Sequence, residues 1–141
     1  MATDKTTITI ETQVHAPVEK VWSMWSTPSD IIKWCTASPD WHTPRAENDL
    51  RTGGAFSSRM EAKDGSMGFD FGGVYDVVTP NKYIEYTMDD GRKVTIDFHM
   101  HGDHTHIIQS FDAETQNSIE MQRGGWQAIL DNFKQYAEAQ N

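Results

Sequence analysis

From Thr6 to Val14 the chain alternates Ile8, Ile10, Thr12 and Val14 with Thr7, Thr9, Glu11 and Gln13. A period of two with β-branched side chains predicts a strand with one buried face. Ala16-Pro17 breaks the alternation, and proline suits the opening turn of a helix. Between Val18 and Ser26 the pattern changes: Val18, Val21, Trp22 and Trp25 share one helical face, with Glu19, Lys20 and Ser23 opposite. Thr27-Pro28-Ser29-Asp30 stops that helix and opens a short second one carrying Ile31, Ile32 and Trp34.

Residues 35–53, with Pro39, Trp41, His42 and Pro44, read as a long irregular connection. Period two then returns. Gly53-Gly54 leads into a strand with Phe56, Ser58 and Met60 on one face, and Lys63-Asp64-Gly65-Ser66 forms a hairpin turn. Gly68 to Val78 is the return strand, Thr79-Pro80-Asn81-Lys82 turns, Tyr83 to Met88 runs on, and Asp89-Asp90-Gly91-Arg92 turns again. Lys93 to His101 and His104 to Asp112 make a last hairpin across Gly102-Asp103. Ser118 to Gln140 reads as one long helix, with Trp126, Ile129, Leu130, Phe133, Tyr136 and Ala137 at three- and four-residue spacing. The order is one strand, two short helices, five strands and a long helix, which is an α+β domain. An antiparallel meander must bury one face, and the long amphipathic helix is the element large enough to cover it.

Composition narrows the partners. A chain of 141 residues fits one domain, spanning 6–141 after a short tail at 1–5. Acidic residues outnumber basic ones 21 to 12, for a net charge of −9, and the basic residues are scattered. Such a surface repels phosphates and anionic headgroups, so neither nucleic acid nor a membrane is expected as a partner. The single cysteine, Cys35, permits no intrachain disulfide. With no secretory leader legible at the start and no long apolar run, the expected location is the cytoplasm.

Several segments taken in order carry a family resemblance: Ala16-Pro17-Val18-Glu19-Lys20-Val21-Trp22; Thr27-Pro28 followed by Ile31 and Trp34; Asp49-Leu50-Arg51-Thr52-Gly53-Gly54; Gly73 to Pro80; and Gly125-Trp126 with Leu130. In this order and spacing they resemble the heat-shock-protein-90 ATPase activator-like branch of the START/SRPBCC (Bet v 1-like) superfamily, from about Thr6 to Ala137. The resemblance implies a helix-grip fold: a six-stranded curved antiparallel sheet wrapped around the C-terminal helix, an internal cavity, and two short helices closing one end. Relatives of this kind include lipid carriers, polyketide cyclases and co-chaperone domains, so the fold alone leaves activity open.

On that frame the helix-facing side chains are Trp22, Trp34, Trp41, Phe56, Met60, Phe69, Phe71, Tyr86, Met88, Phe98, Met100, Trp126, Leu130 and Phe133, an apolar and adjustable wall. Ser58, Tyr75, Tyr86, His42 and Arg59 are the polar groups available to orient a ligand if they point inward. The expected partner is a small apolar or amphipathic molecule. A chaperone contacted through the outer surface is the alternative, and a cyclase- or aromatase-like enzyme on an aromatic or polyketide-like substrate the second. The expected state is a monomer or homodimer.

His99-Met100-His101-Gly102-Asp103-His104-Thr105-His106 is the most unusual local feature. A two-residue turn at Gly102-Asp103 pairs His101 with His104 and His99 with His106. All four imidazoles then share one face, extended by Asp97, with facing side chains about 5 Å apart. That pattern suits a transition metal. The competing reading is four outward polar residues, since Phe98 and Ile107 point to the helix and no buried outer shell is legible; no resident metal or other cofactor is expected. Gly53-Gly54 lacks the lysine and following helix of a phosphate loop. Among Cys35, His15, His42, Asp70 and Asp76 no catalytic arrangement is legible: Cys35 ends a short helix, where the dipole opposes a thiolate, and both aspartates alternate outward.

Overall fold

The computed structural model describes residues 6–36 and 38–140, so the tail expected at 1–5 lies outside it. The elements are β1 (Thr7–Val14), α1 (Val18–Ser26), α2 (Pro28–Trp34), β2 (Trp41–Asn48), β3 (Ala55–Ala62), β4 (Gly68–Thr79), β5 (Tyr83–Met88), β6 (Lys93–His101), β7 (His104–Asp112) and α3 (Ile119–Ala139). One antiparallel sheet runs in the order β1-β7-β6-β5-β4-β3-β2, so β1 and β2 form its two edges and α1 and α2 carry the chain from one edge to the other.

The seventh strand, β2, lies in the segment expected to be irregular. Its pairing with β3 shifts register between His42 and Arg45, where Pro44 sits. Proline lacks the N–H that a ladder needs, so it is tolerated at a bulge on an edge strand. A second register shift, between Tyr75 and Val77 in β4, curls the sheet toward α3. Two glycines permit close backbone approach: a Cβ on Gly54 would stand 2.1 Å from the Asp49 carbonyl, and one on Gly73 would stand 2.3 Å from that of Thr87.

The hairpin registers follow from alternation. β6 and β7 pair Phe98 with Ile107, His99 with His106 and His101 with His104. Ile8, Ile10 and Val14 of β1, Val94, Ile96 and Phe98 of β6, and Ile107 and Phe111 of β7 are buried on the concave face. On α3, Leu130, Phe133 and Ala137 complete that core at the expected spacing. Ser118 caps the helix by accepting from the Met121 amide at 3.1 Å.

Gln122 ties the start of α3 to Glu114 and Asn117, and the C-terminal half is tied to β1, to His15 and to α2. Lys134 Nζ donates to the Gln13 carbonyl at 2.7 Å, the His15 amide donates to Glu138 at 3.0 Å, and the Tyr136 hydroxyl donates to Asp30. Of the strands, α3 lies nearest β1. The helix thus leans on one edge of a curled sheet, and a gap remains beneath its first half, over β3 to β5.

Candidate ligand cavity

The interior splits into a closed end and an open one. At the closed end, beneath α1 and α2, Trp25 meets Trp34 at 5.0 Å between ring centroids and Phe133 at 4.9 Å, while Phe98 stands edge-on to Trp22 at 5.2 Å and to Trp25 at 5.7 Å. The polar atoms here are used: Trp34 Nε1 donates to the Met24 carbonyl at 3.0 Å, Thr43 to the Cys35 carbonyl at 2.7 Å, and Thr105 to the Ala16 carbonyl at 2.9 Å. Phe98 and Phe133 meet the tryptophans edge to face, while Trp25 and Trp34 lie tilted against each other.

At the open end the sheet and α3 enclose a cavity of about 280 Å³. Phe56 stands 4.7 Å from Tyr86 and 5.1 Å from Tyr75, and Phe71 stands 6.0 Å from Trp126. Trp126 is held from behind by stacking on Phe111 at 4.1 Å. Pairing of β4 with β5 begins at Gly73, so residues 68–71 run past the end of β5. Phe69, on that overhang, lines the cavity and is 49% exposed, which marks the opening to solvent.

Of the residues expected to face a ligand, Trp34, Phe56, Ser58, Met60, Phe69, Phe71, Tyr75, Tyr86, Trp126 and Leu130 line this cavity. Six do not. Trp22, Phe98 and Phe133 point inward but are consumed by the closed end. Met88 is buried in the core outside the lining, and Trp41 packs its ring 5.9 Å from Phe69 on the edge strand. Met100 is 45% exposed, because the β6–β7 tip projects beyond the core. Two of the five polar groups also face away. Period-two alternation sets Arg59 outward from Ser58 and Met60, on Glu61 at 2.9 Å and Asp70 at 3.6 Å, while His42 lies 3.8 Å from Glu61.

The lining also includes Trp25, Ile31, Cys35, Arg92, Ile96, Gln109 and Ile129, which the sequence reading left out. Gln109 and Arg92 carried a legible signal. Gln109 alternates in phase with Ile107 and Phe111, and Arg92 in phase with Val94 and Ile96, so strand period alone sets both on the concave face.

Polar satisfaction separates the two ends. Thr43, Ser58, Thr105, Gln109 and Gln122 are the buried polar side chains among the described residues. Thr43 and Thr105 are paired as above, and Gln122 bonds Glu114 and Asn117. Ser58 and Gln109, each 6% exposed, have no side-chain partner among the described residues, and neither does the hydroxyl of Tyr86, also 6% exposed. Among the described residues no fully buried side-chain nitrogen or oxygen is left without a partner, and these three groups border the cavity. The Tyr75 hydroxyl, by contrast, donates to Asn48. Burial pushes both tyrosines well above the ordinary phenol range; Tyr75 and Cys35 add to the effect on Tyr86, and Arg92 opposes it. Burial likewise pushes the Cys35 thiol up to about 12.

The histidine hairpin has its expected register, with ring centroids 6.5 Å apart for His99–His101, 6.0 Å for His101–His104 and 6.1 Å for His101–His106. The rings share a face without converging. His104 turns to Asp103 at 3.2 Å and His106 to Glu11 at 3.0 Å. Among the described residues no three His, Cys, Asp or Glu side chains are placed to hold a metal ion.

A curled antiparallel sheet gripping a long C-terminal helix, with two short helices stopping one end, defines a helix-grip domain of the START/Bet v 1-like kind. The chain belongs to the family described as activator of Hsp90 ATPase homolog 1-like protein, whose profile matches residues 15–138. It is similar to the solution structure of an AHSA1-like protein from Aeromonas hydrophila, at 44% identity over 96% of this chain and 94% of that one, with a TM-score of 0.90. It is also similar to Chr148 from Cytophaga hutchinsonii, at 58% identity over 94% and 92%, with a TM-score of 0.82. CV1439 from Chromobacterium violaceum shares the fold at 24% identity over 94% and 96%, with a TM-score of 0.84. Among curated proteins none matches the chain. No helix of the described residues is long and apolar enough to cross a membrane.

Proposed function

We propose that this protein, as one domain over residues 6–141, binds a small, mostly apolar molecule in the gap between the sheet and α3 and releases it unchanged. The observation that carries the reading is the contrast in polar satisfaction: Ser58, Tyr86 and Gln109 face an aromatic-walled cavity without protein partners. Polar groups that open onto an aromatic-walled void are free to hydrogen-bond an occupant and fix its orientation. The volume, about 280 Å³, falls just below the roughly 300–1,000 Å³ typical of ligand sites, which suits a compact ring system rather than a two-chain lipid.

Catalysis fits less well. The titratable groups with resolved shifts in the cavity, Tyr75, Tyr86 and Cys35, are all shifted upward, away from the neutral range a general acid or base needs. A chaperone partner, which the family description brings to mind, predicts that added protein changes the Hsp90 ATPase rate.

The test is native mass spectrometry of freshly purified protein, followed by an amide NMR titration with 2-naphthol. Expected are a small molecule released on denaturation, or naphthol-induced shifts confined to the strands and helix around Phe56, Phe71, Tyr86 and Trp126. No retained mass together with shifts scattered over the outer surface would overturn the reading.

A further inference from the structure

Given that the cavity binds a ligand, as proposed above, its charge pattern specifies the kind. Among the described residues Arg92 is the only charged one in the lining, and no aspartate or glutamate accompanies it there. In a chain of net charge −9 a cavity wall that carries a cation and no anion is the feature that sets the ligand's charge.

The placement of Arg92 follows from the strand ladder. The Met88 amide donates to its carbonyl at 2.8 Å, which puts it at the end of the β5–β6 pair, beside the overhang of β4 and the opening at Phe69. Its Nε donates to Asp90 Oδ2 at 2.8 Å, and Arg92 contributes to the Asp90 carboxylate lying below its usual range. That bond fixes one edge of the guanidinium. A guanidinium has five N–H donors; the remaining four have no acceptor among the described residues. The side chain is three-quarters buried and lines the cavity. Deeper in, Tyr86 and Ser58 offer hydroxyl donors and Gln109 an amide.

We infer that the cavity takes a small aromatic carboxylate, with the carboxylate on the free edge of Arg92 near the mouth and the ring among Phe56, Phe71 and Trp126. A planar guanidinium matches a carboxylate's two oxygens, and a charge-assisted bond of this type is about twice as strong as a neutral one. Asp90 does not block the site, because it holds Nε and leaves the terminal amino groups unpaired. The hydroxyls and the amide then serve ring substituents, which would set selectivity among acids of similar size.

The test uses three probes on one ring: 2-naphthoate, 2-naphthalenemethanol and 2-naphthylmethylamine, with Kd read from tryptophan emission and from NMR shifts at pH 7.5. In the native protein the carboxylate should bind about tenfold or more tighter than the alcohol, with the amine weakest. Arg92→Gln should bring the carboxylate to within about twofold of the alcohol while leaving the alcohol's Kd unchanged, which separates loss of the charge from loss of the fold. Tyr86→Phe should weaken binding while keeping the order of the three probes. Alcohol binding as tight as carboxylate binding, or a preference that survives Arg92→Gln, would overturn the carboxylate inference while leaving a cavity-binding protein. Failure of all three probes to shift any cavity residue would overturn both.

Discussion

The two ends of the interior are built from the same residue types and behave in opposite ways. Beneath α1 and α2, Phe98 and Phe133 stand edge to face on Trp25 or Trp34, which tilt against each other, and the polar atoms among them are bonded to backbone carbonyls. Beneath the first half of α3, Phe56, Phe71 and Tyr86 also meet edge to face, yet they ring a void, and the polar groups beside them are unpaired. What differs is the support behind each wall. The closed end has two helices and the C-terminal half of α3 pressing on the sheet, whereas the open end has the sheet's curl and the far half of α3, with α1 and α2 reaching it only at its boundary through Trp25, Ile31 and Trp34. Aromatic content therefore does not distinguish a plug from a pocket; the layers crossing over it do.

The largest effect that tests this contrast is a pair of truncations. Phe133→Ala removes a fully buried ring from the interlocked cluster and should cost about 3–5 kcal/mol, with a fall in Tm on the order of 10 °C. Phe71→Ala, whose ring already borders a void, should cost about 1–2 kcal/mol, since little new cavity is created. Urea denaturation of both variants checks the pair. Equal losses would mean that the open end is packed like the closed one.

Most of the frame was legible because each element buries one face with its own period. Strands β5, β6 and β7 and helix α1 fall on the residues where alternation and helical spacing set them. β2 was hidden by Pro44, since sequence alone does not reveal that this segment is an edge where a missing N–H costs nothing. The cavity was legible only as a face. Alternation separates Ser58 from Arg59 on one strand, but Phe98 and Phe56 both point inward, and the helix that crosses above Phe98 is fixed by tertiary packing. Met100 shows the same limit at the hairpin tip, where inward phase continues after the core has ended. Gln109 and Arg92 are readable by phase, although a polar residue on an apolar face looks like an interruption rather than a site.

A smaller effect separates satisfied from unsatisfied polar groups. Thr43→Val leaves the Cys35 carbonyl without its buried donor and should cost about 1–3 kcal/mol. Gln109→Leu removes an amide that has no protein partner, so its stability should stay within about 1 kcal/mol of the native protein, on the stabilising side. The same Gln109→Leu variant should lose selectivity among substituted naphthoates in the binding assay. If Gln109→Leu were as costly as Thr43→Val, the amide would be part of the scaffold and the contrast between the two ends would weaken.

The smallest effect belongs to Cys35, which sits on the boundary: its carbonyl is bonded in the closed end by Thr43, and its side chain lines the cavity. Burial raises its thiol from 9.0 to about 12. A group whose folded pKa is raised contributes fully while both states hold the proton, below about pH 9. As pH climbs from 9 toward 12 the unfolded chain loses the proton and the folded one keeps it, so stability falls, by at most about 1.4 kcal/mol per pH unit. Tyrosines begin to titrate in the unfolded chain near pH 10, which leaves about pH 9–10 as the window where the thiol acts alone. Urea unfolding at pH 8 and pH 10 should show the native protein losing about 1 kcal/mol more than Cys35→Ala over that interval. Parallel losses would mean that the thiol is hydrated from the cavity side. The boundary between the two ends would then lie behind Cys35 rather than at it.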